Sequence, residues 1–94
     1  MFVLHIEHRV PAFMAWKKVF DRDPVGRRKA GVRRYSVMRA LDDPNYVMLV
    51  LEFDALEDAQ AMLASLQVLW GRAQGPTVTA PVARIAEVVE AREP

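Results

Sequence analysis

Tyr46-Val47-Met48-Leu49-Val50-Leu51-Glu52-Phe53 is the most apolar stretch of the chain, and its reading decides the fold. Aliphatic, β-branched and aromatic residues run between turn formers, Asp42-Asp43-Pro44-Asn45 before and Asp54 after, which is the pattern of a strand. Strand side chains alternate between faces, so Val47, Leu49, Leu51 and Phe53 share one face and Tyr46, Met48, Val50 and Glu52 the other. Both faces are mostly apolar, unlike a sheet with one side in water. The uninterrupted set, ending in Phe53, is assigned to a helix-covered core. The Tyr46 set then lies on an open face that is too apolar to be left in solvent.

The same alternation runs through Phe2–Arg9, with Phe2, Leu4 and Ile6 on the core side and Val3, His5, Glu7 and Arg9 on the open side. A helix is expected over Pro11–Arg22. Pro11 suits a first turn, Phe13, Trp16 and Phe20 form a stripe with Ala12 and Val19 beside it, and Lys17, Lys18, Asp21 and Arg22 form the wet face. Asp23-Pro24 ends it, because the residue before a proline avoids helical geometry. After the basic connection Val25–Gly31, Val32–Ala40 is a second strand. It adds either Arg33, Tyr35 and Val37 or Arg34, Ser36 and Met38 to the open face; periodicity does not choose between them. Leu41–Asn45 is a hairpin loop.

Beyond the third strand, Asp54 and Glu57 form a capping-box-like start to a second helix, with Leu56, Ala59, Leu63, Leu66 and Trp70 on one stripe and Gly71 as its stop. Arg72–Pro81, with Gly75-Pro76, reads as a loop. Val82–Ala91 suits either a helix or a strand, and its Val-rich alternation after Pro81 favours a strand. The order β-α-β-β-α-β predicts an α+β, ferredoxin-like antiparallel sheet with both helices on one face, as a single domain over 1–94.

Composition narrows the function classes. With 52% hydrophobic and 27% charged residues the chain is not disordered. Without cysteine it has no disulfide framework, thiolate zinc site or Cys nucleophile. Thirteen basic against twelve acidic residues give a net charge of +1, too little for a general polyanion binder. No apolar run reaches the roughly 18 residues that span a bilayer, and Met1–His5 has no basic signal-peptide start. The expectation is a soluble cytoplasmic protein with no membrane contact. A chain of 94 residues buries only about 60–65% of the surface its unfolded form exposes. A second subunit covering Val3, Tyr46, Met48 and Val50 would relieve both problems, so a homodimer joined through the open sheet face is expected.

The run His8-Arg9-Val10-Pro11-Ala12-Phe13-Met14-Ala15-Trp16-Lys17-Lys18-Val19-Phe20-Asp21 resembles the opening of small dimeric α+β barrel proteins, the antibiotic biosynthesis monooxygenase-like and cyclase-like families. Gly31, the Asp42–Asn45 hairpin and the Glu52-Phe53-Asp54 junction resemble them too, and the likeness extends nearly to Trp70. It implies a dimeric barrel with a pocket between sheet and helices in each protomer. In characterised relatives that pocket holds a flat aromatic or polyketide-like substrate, oxidised without metal or flavin, so no cofactor is expected. Haem-degrading relatives use a histidine on the second helix; Asp54–Trp70 has none.

His5 and His8 are the only histidines. Three residues apart on a strand, they fall on opposite faces and cannot share a metal. Either could act as a base toward a phenol or enol. His5 has Glu7 or Glu52 to orient it, or else is a hydrogen-bonded interior group. His8, beside Trp16, either lines a pocket mouth or packs on that indole. Trp16, Tyr35, Tyr46 and Met48 are candidate ligand contacts, together with Glu7 and Glu52, against the plainer reading as packing residues. Arg27, Arg28, Lys29, Arg33 and Arg34 form a basic cluster that would suit a carboxylate or phosphate, or simply a solvated face.

Three functions fit these residues. One is a cofactor-independent oxygenase or cyclase-like enzyme on a small aromatic compound. A second is a non-catalytic dimer that binds a ligand or another protein. The third, RNA binding on an open β-α-β-β-α-β sheet, needs aromatics on the first and third strands. Here that face offers Tyr46 beside two carboxylates, so no nucleic-acid partner is expected.

Overall fold

The computed structural model describes residues 1–73 and 81–94. Its elements are β1 (Phe2–Arg9), α1 (Phe13–Asp21), β2 (Val32–Arg39), β3 (Tyr46–Phe53), α2 (Leu56–Ala73) and β4 (Val82–Glu87). The strands form one antiparallel sheet in the order β2-β3-β1-β4, the ferredoxin-like arrangement expected from the sequence. β1 and β3 have the bounds expected from their alternation. They pair at the centre of the sheet, Leu4 opposite Leu51 and Ile6 opposite Leu49.

One side of the sheet carries the core. Leu4, Leu51, Phe53 and Ala59 are essentially inaccessible, and Phe20 and Met62 close over them from the two helices. Met62 belongs to the buried stripe of α2 at i+3 from Ala59, a spacing present in the sequence but left out of the expected stripe. Among the described residues, no helix is long and apolar enough to cross a membrane.

The second strand resolves the question of its faces through a bulge. Val32 pairs with Phe53 but Arg34 pairs with Glu52, so Arg33 is an extra residue. Beyond it Arg34, Ser36 and Met38 share the open face, and Tyr35, Val37 and Arg39 turn to the helix side. A bulge inverts every side chain that follows it, which is why simple alternation could not assign them.

Several element ends differ from expectation. Pro11 lies outside α1, which starts at Phe13 after Ala12 as N-cap. Alanine offers no capping oxygen, and the cap comes instead from the hairpin loop: Phe13 N–H donates to Asn45 Oδ1 at 3.0 Å. Asn45 also accepts the Val10 N–H on its carbonyl at 2.8 Å, pinning the β1–α1 turn. The C-terminal stop at Asp23 holds, but through a left-handed backbone (φ 55°) rather than an extended one; an aspartate tolerates this because its side chain bonds locally, here accepting the Arg27 N–H at 2.8 Å. β2 stops at Arg39, one residue before Ala40.

Asp54 does not cap α2, which begins two residues later. Its carboxylate meets Arg33 at 3.2 Å across the bulge. Gly71 does not stop the helix, which continues to Ala73, so Arg72 and Ala73 are helical rather than loop. A lone glycine weakens a helix by only about 1 kcal/mol against alanine. The Gly75-Pro76 turn expected next lies outside the described residues. The last segment is a strand, as its alternation predicts, but ends at Glu87 rather than Ala91.

Candidate functional site

The alternation of β1 sends the two histidines to different environments. His5 stands on the open face and His8 on the helix side, so the opposite-face expectation is met. The other candidates divide the same way. Glu7, Tyr46, Met48 and Glu52 join His5, while Trp16 and Tyr35 lie on the side of His8.

On the helix side the sheet, α1 and α2 wall a half-open cavity of about 130 Å³. Its wall is aliphatic and aromatic, with Trp16 and Phe20 from α1 and Met62, Leu66 and Trp70 from α2. Apart from the indole N–H groups of Trp16 and Trp70, only His8 and Arg27 bring polar side-chain atoms to its lining among the described residues. A dry apolar cavity of about 150 Å³ holds one benzene ring, so this space is the size of a single small aromatic.

His8 is the chemically unusual group in that wall. Its ring meets Trp16 edge-on, 6.2 Å between centroids at 82°, so it packs on the indole and lines the cavity at once. Its Nε2 is buried with no hydrogen-bond partner, a state that normally costs about 1–3 kcal/mol. Burial also holds the imidazole pKa below its ordinary value, because the cation would lose solvation. His8 is therefore a neutral imidazole at pH 7, with a ring nitrogen unused by the protein.

Arg27 is the second polar group, placed by the Asp23 turn. Its guanidinium carbon lies 3.9 Å from the Phe20 ring centroid and 4.7 Å from that of Tyr35. It donates to the Phe20 carbonyl at 2.8 Å and stays 3.5 Å from Asp23 Oδ1. Tyr35 supports this stack on its own edge contact with Phe20, 5.3 Å between centroids. Nothing in the run Val25–Gly31 distinguishes Arg27 from Arg28; only the packed fold separates the inward guanidinium from the solvated ones.

The open face has a different character. Tyr46 donates its phenolic O–H to Glu7 Oε1 at 2.8 Å, and His5 Nε2 lies 3.5 Å from Glu7 Oε2. The carboxylate as acceptor holds the Tyr46 pKa above its ordinary value, helped by partial burial. Of the two carboxylates expected beside His5, Glu7 is there and Glu52 is not: it sits against Arg34 at 3.6 Å. Met48 lies between Glu7 on β1 and Met38 on β2.

This architecture matches solved structures over essentially the whole chain. A candidate antibiotic biosynthesis monooxygenase from Deinococcus radiodurans superposes with a TM-score of 0.76 at 18% identity, covering 99% of this chain and 97% of that one. Protein Atu4242 from Agrobacterium tumefaciens gives 0.61 at 16% identity over 93% and 92% of the two chains. A variant of MhuD, solved with two manganese protoporphyrin IX molecules per active site, gives 0.60 at 19% identity over 100% of both. The fold is thus the ferredoxin-like α+β fold of antibiotic biosynthesis monooxygenase-like proteins, as the opening sequence suggested. No protein-family profile matches the chain, and no curated protein matches it.

Proposed function

We propose that the chain binds a small aromatic molecule in the cavity between sheet and helices, and that His8 takes a proton from its phenol or enol. The observation that carries this reading is the buried, unpartnered Nε2 of His8, on a ring that lines a ring-sized apolar cavity. An unpaired nitrogen there is satisfied by a ligand O–H, and a neutral imidazole is the form that accepts it. Deprotonation leaves an electron-rich anion held between the aromatic side chains of the cavity wall.

With dioxygen as oxidant the chemistry closes without a cofactor. The anion's carbon forms a C–O bond to O₂, and protonation gives a hydroperoxide. Loss of water from it, breaking the O–O and a C–H bond, leaves a carbonyl. The fold shared with a candidate monooxygenase supports this reaction class, as does the earlier resemblance. The test is oxygen uptake on small phenols and enols. His8→Ala should lower turnover by about tenfold or more, and His5→Ala should leave it within about twofold. Equal rates in all three proteins would remove His8 from the mechanism.

A specific observation favours a second reading, a non-catalytic binder: among the described residues no carboxylate lines the cavity to orient His8. Saturable binding with no consumption of ligand or oxygen would select it. A porphyrin, bound by one structural neighbour, is much larger than this cavity, and α2 carries no histidine to meet a haem iron.

The reading includes a homodimer acting in the cytoplasm, with the two open faces packed together. Val3, Tyr46, Met48 and Val50 are half-buried in the lone chain, and Met38 is 41% exposed beside them. The Tyr46–Glu7 hydrogen bond, with His5 3.5 Å from the same carboxylate, would leave few polar groups unpaired in that interior when it closes.

A further inference from the structure

Arg27 lines two spaces at once. One is the ring-sized cavity; the other is an open groove of about 410 Å³ whose lining brings Arg28, Arg33 and Arg34 together with Asp23 and Tyr35. The Arg27 side chain is only 14% exposed, yet its charge is weakly compensated. Its one acid neighbour is 3.5 Å from Nε, and that carboxylate oxygen already accepts the Arg27 backbone N–H at 2.8 Å. A guanidinium carries five N–H donors, of which the Phe20 carbonyl takes one. It cannot lose its proton, and the donors left over beside its Asp23 and Phe20 contacts can take an anion.

The two polar groups of the cavity belong to different levels of the sheet. His8 is level with Val47 on β3, and Tyr35, on which Arg27 stacks, is level with Leu51. Four strand residues separate those levels, about 13 Å. A ring between them meets a proton acceptor at one end and a cation at the other. A phenol with a short acid arm, plus a hydrogen bond of about 2.8 Å at each end, spans that distance.

We infer that the ligand is a hydroxyaryl acid, its hydroxyl on His8 Nε2 and its carboxylate on Arg27, with the acid arm leading toward the arginine groove. This rests on the cavity reading above and adds the charge and polarity of the molecule that fills it. The neighbouring arginines raise the local concentration of anions at the groove mouth. Arg33 and Arg34 are partly neutralised by Asp54 and Glu52, so Arg27 carries the specific contact.

Calorimetry on the unmodified 94-residue chain separates the two claims. The probes are 3-(4-hydroxyphenyl)propanoate and its neutral amide, 3-(4-hydroxyphenyl)propanamide. The acid should bind about tenfold tighter or more, and the gap should narrow as salt is raised. Arg27→Gln should erase the preference, while Arg27→Lys keeps part of it and Arg28→Ala most of it. Acid and amide binding equally would overturn the inference and leave the cavity reading standing. A preference untouched by Arg27→Gln would also overturn it, with circular dichroism establishing that the variant is folded. Binding of neither probe at millimolar concentration would overturn both.

Discussion

The two sides of the sheet hold one histidine each, and they treat it in opposite ways. On the open side Glu7 accepts the Tyr46 hydroxyl, and His5, 3.5 Å from the same carboxylate, keeps access to solvent, so neither histidine nor tyrosine is left stranded. On the helix side His8 is set among aromatic and aliphatic side chains, and its Nε2 is left without a partner. Folding alone gains nothing from that arrangement. A group kept unsatisfied in a cavity is the mark of a site completed by something else, whereas a satisfied network is the mark of an interior that only has to close.

The largest test of this contrast falls on the open side. Val50 lies at its centre, opposite His5 on β1 and Ser36 on β2. Val50→Asp would bury a carboxylate in each half of the proposed interface, and should weaken dimerisation by about 3 kcal/mol or more, over a hundredfold. Native mass spectrometry at micromolar concentration should show a dimer for the unmodified chain and a monomer for the variant. A monomer for the unmodified chain would remove the interface altogether.

On the other side, His8→Leu replaces an unpaired nitrogen with apolar volume. It should leave thermal stability equal or raise it by about 1 kcal/mol, while aromatic binding falls by about tenfold. Glu7→Gln on the open face should do the reverse, weakening the Tyr46 and His5 contacts without touching the cavity. If His8→Leu destabilised the chain instead, His8 would be a packing residue on Trp16 and the contrast would fail.

The protonation of His8 gives a third test. Its folded pKa lies below the ordinary 6.5, so the unfolded chain takes up this proton first as pH falls. Its contribution is therefore fully present above pH 6.5 and is lost as the pH drops from there through the folded value. Denaturant unfolding should show the unmodified chain losing stability faster than His8→Leu over this range. Parallel curves would mean that burial does not shift the group.

The smallest effects concern how the site is held. Asn45→Ala removes the cap of α1, the helix that carries Trp16 and Phe20 to the cavity, and should cost about 1 kcal/mol in unfolding experiments. Gly31→Ala should cost about 1–3 kcal/mol, because φ is 97° there and a Cβ would come within 2.5 Å of Asp58 Oδ2. Its effect on ligand affinity should be slight, since neither residue borders the cavity.

The residues made parts of this legible in advance. β1 and β3 declare themselves because period-two alternation is strong over their whole length, and the same alternation separates His5 from His8. The faces of β2 were not legible because the extra residue at Arg33 reverses them without any mark in composition. The cap of α1 was missed because Asn45 acts across 32 residues of sequence, and local rules consider only the neighbours of the helix. Arg27 was hidden for a related reason: VGRRKAG reads as a solvated basic run, and only the stack on Phe20 and Tyr35 turns one of its guanidinium groups inward. His8 was visible as a candidate, but its unpaired nitrogen is a property of the packed cavity.

The central claim is that His8, and not His5, meets an aromatic ligand. Nitrogen-15 NMR of the two imidazole rings during titration with p-cresol at pH 7.5 tests it most directly. The account predicts that the His8 Nε2 resonance moves progressively to saturation, as its nitrogen accepts the phenol hydroxyl, while the His5 ring resonances stay in place. A His8 resonance unmoved at millimolar p-cresol, or a shift confined to His5, would contradict it.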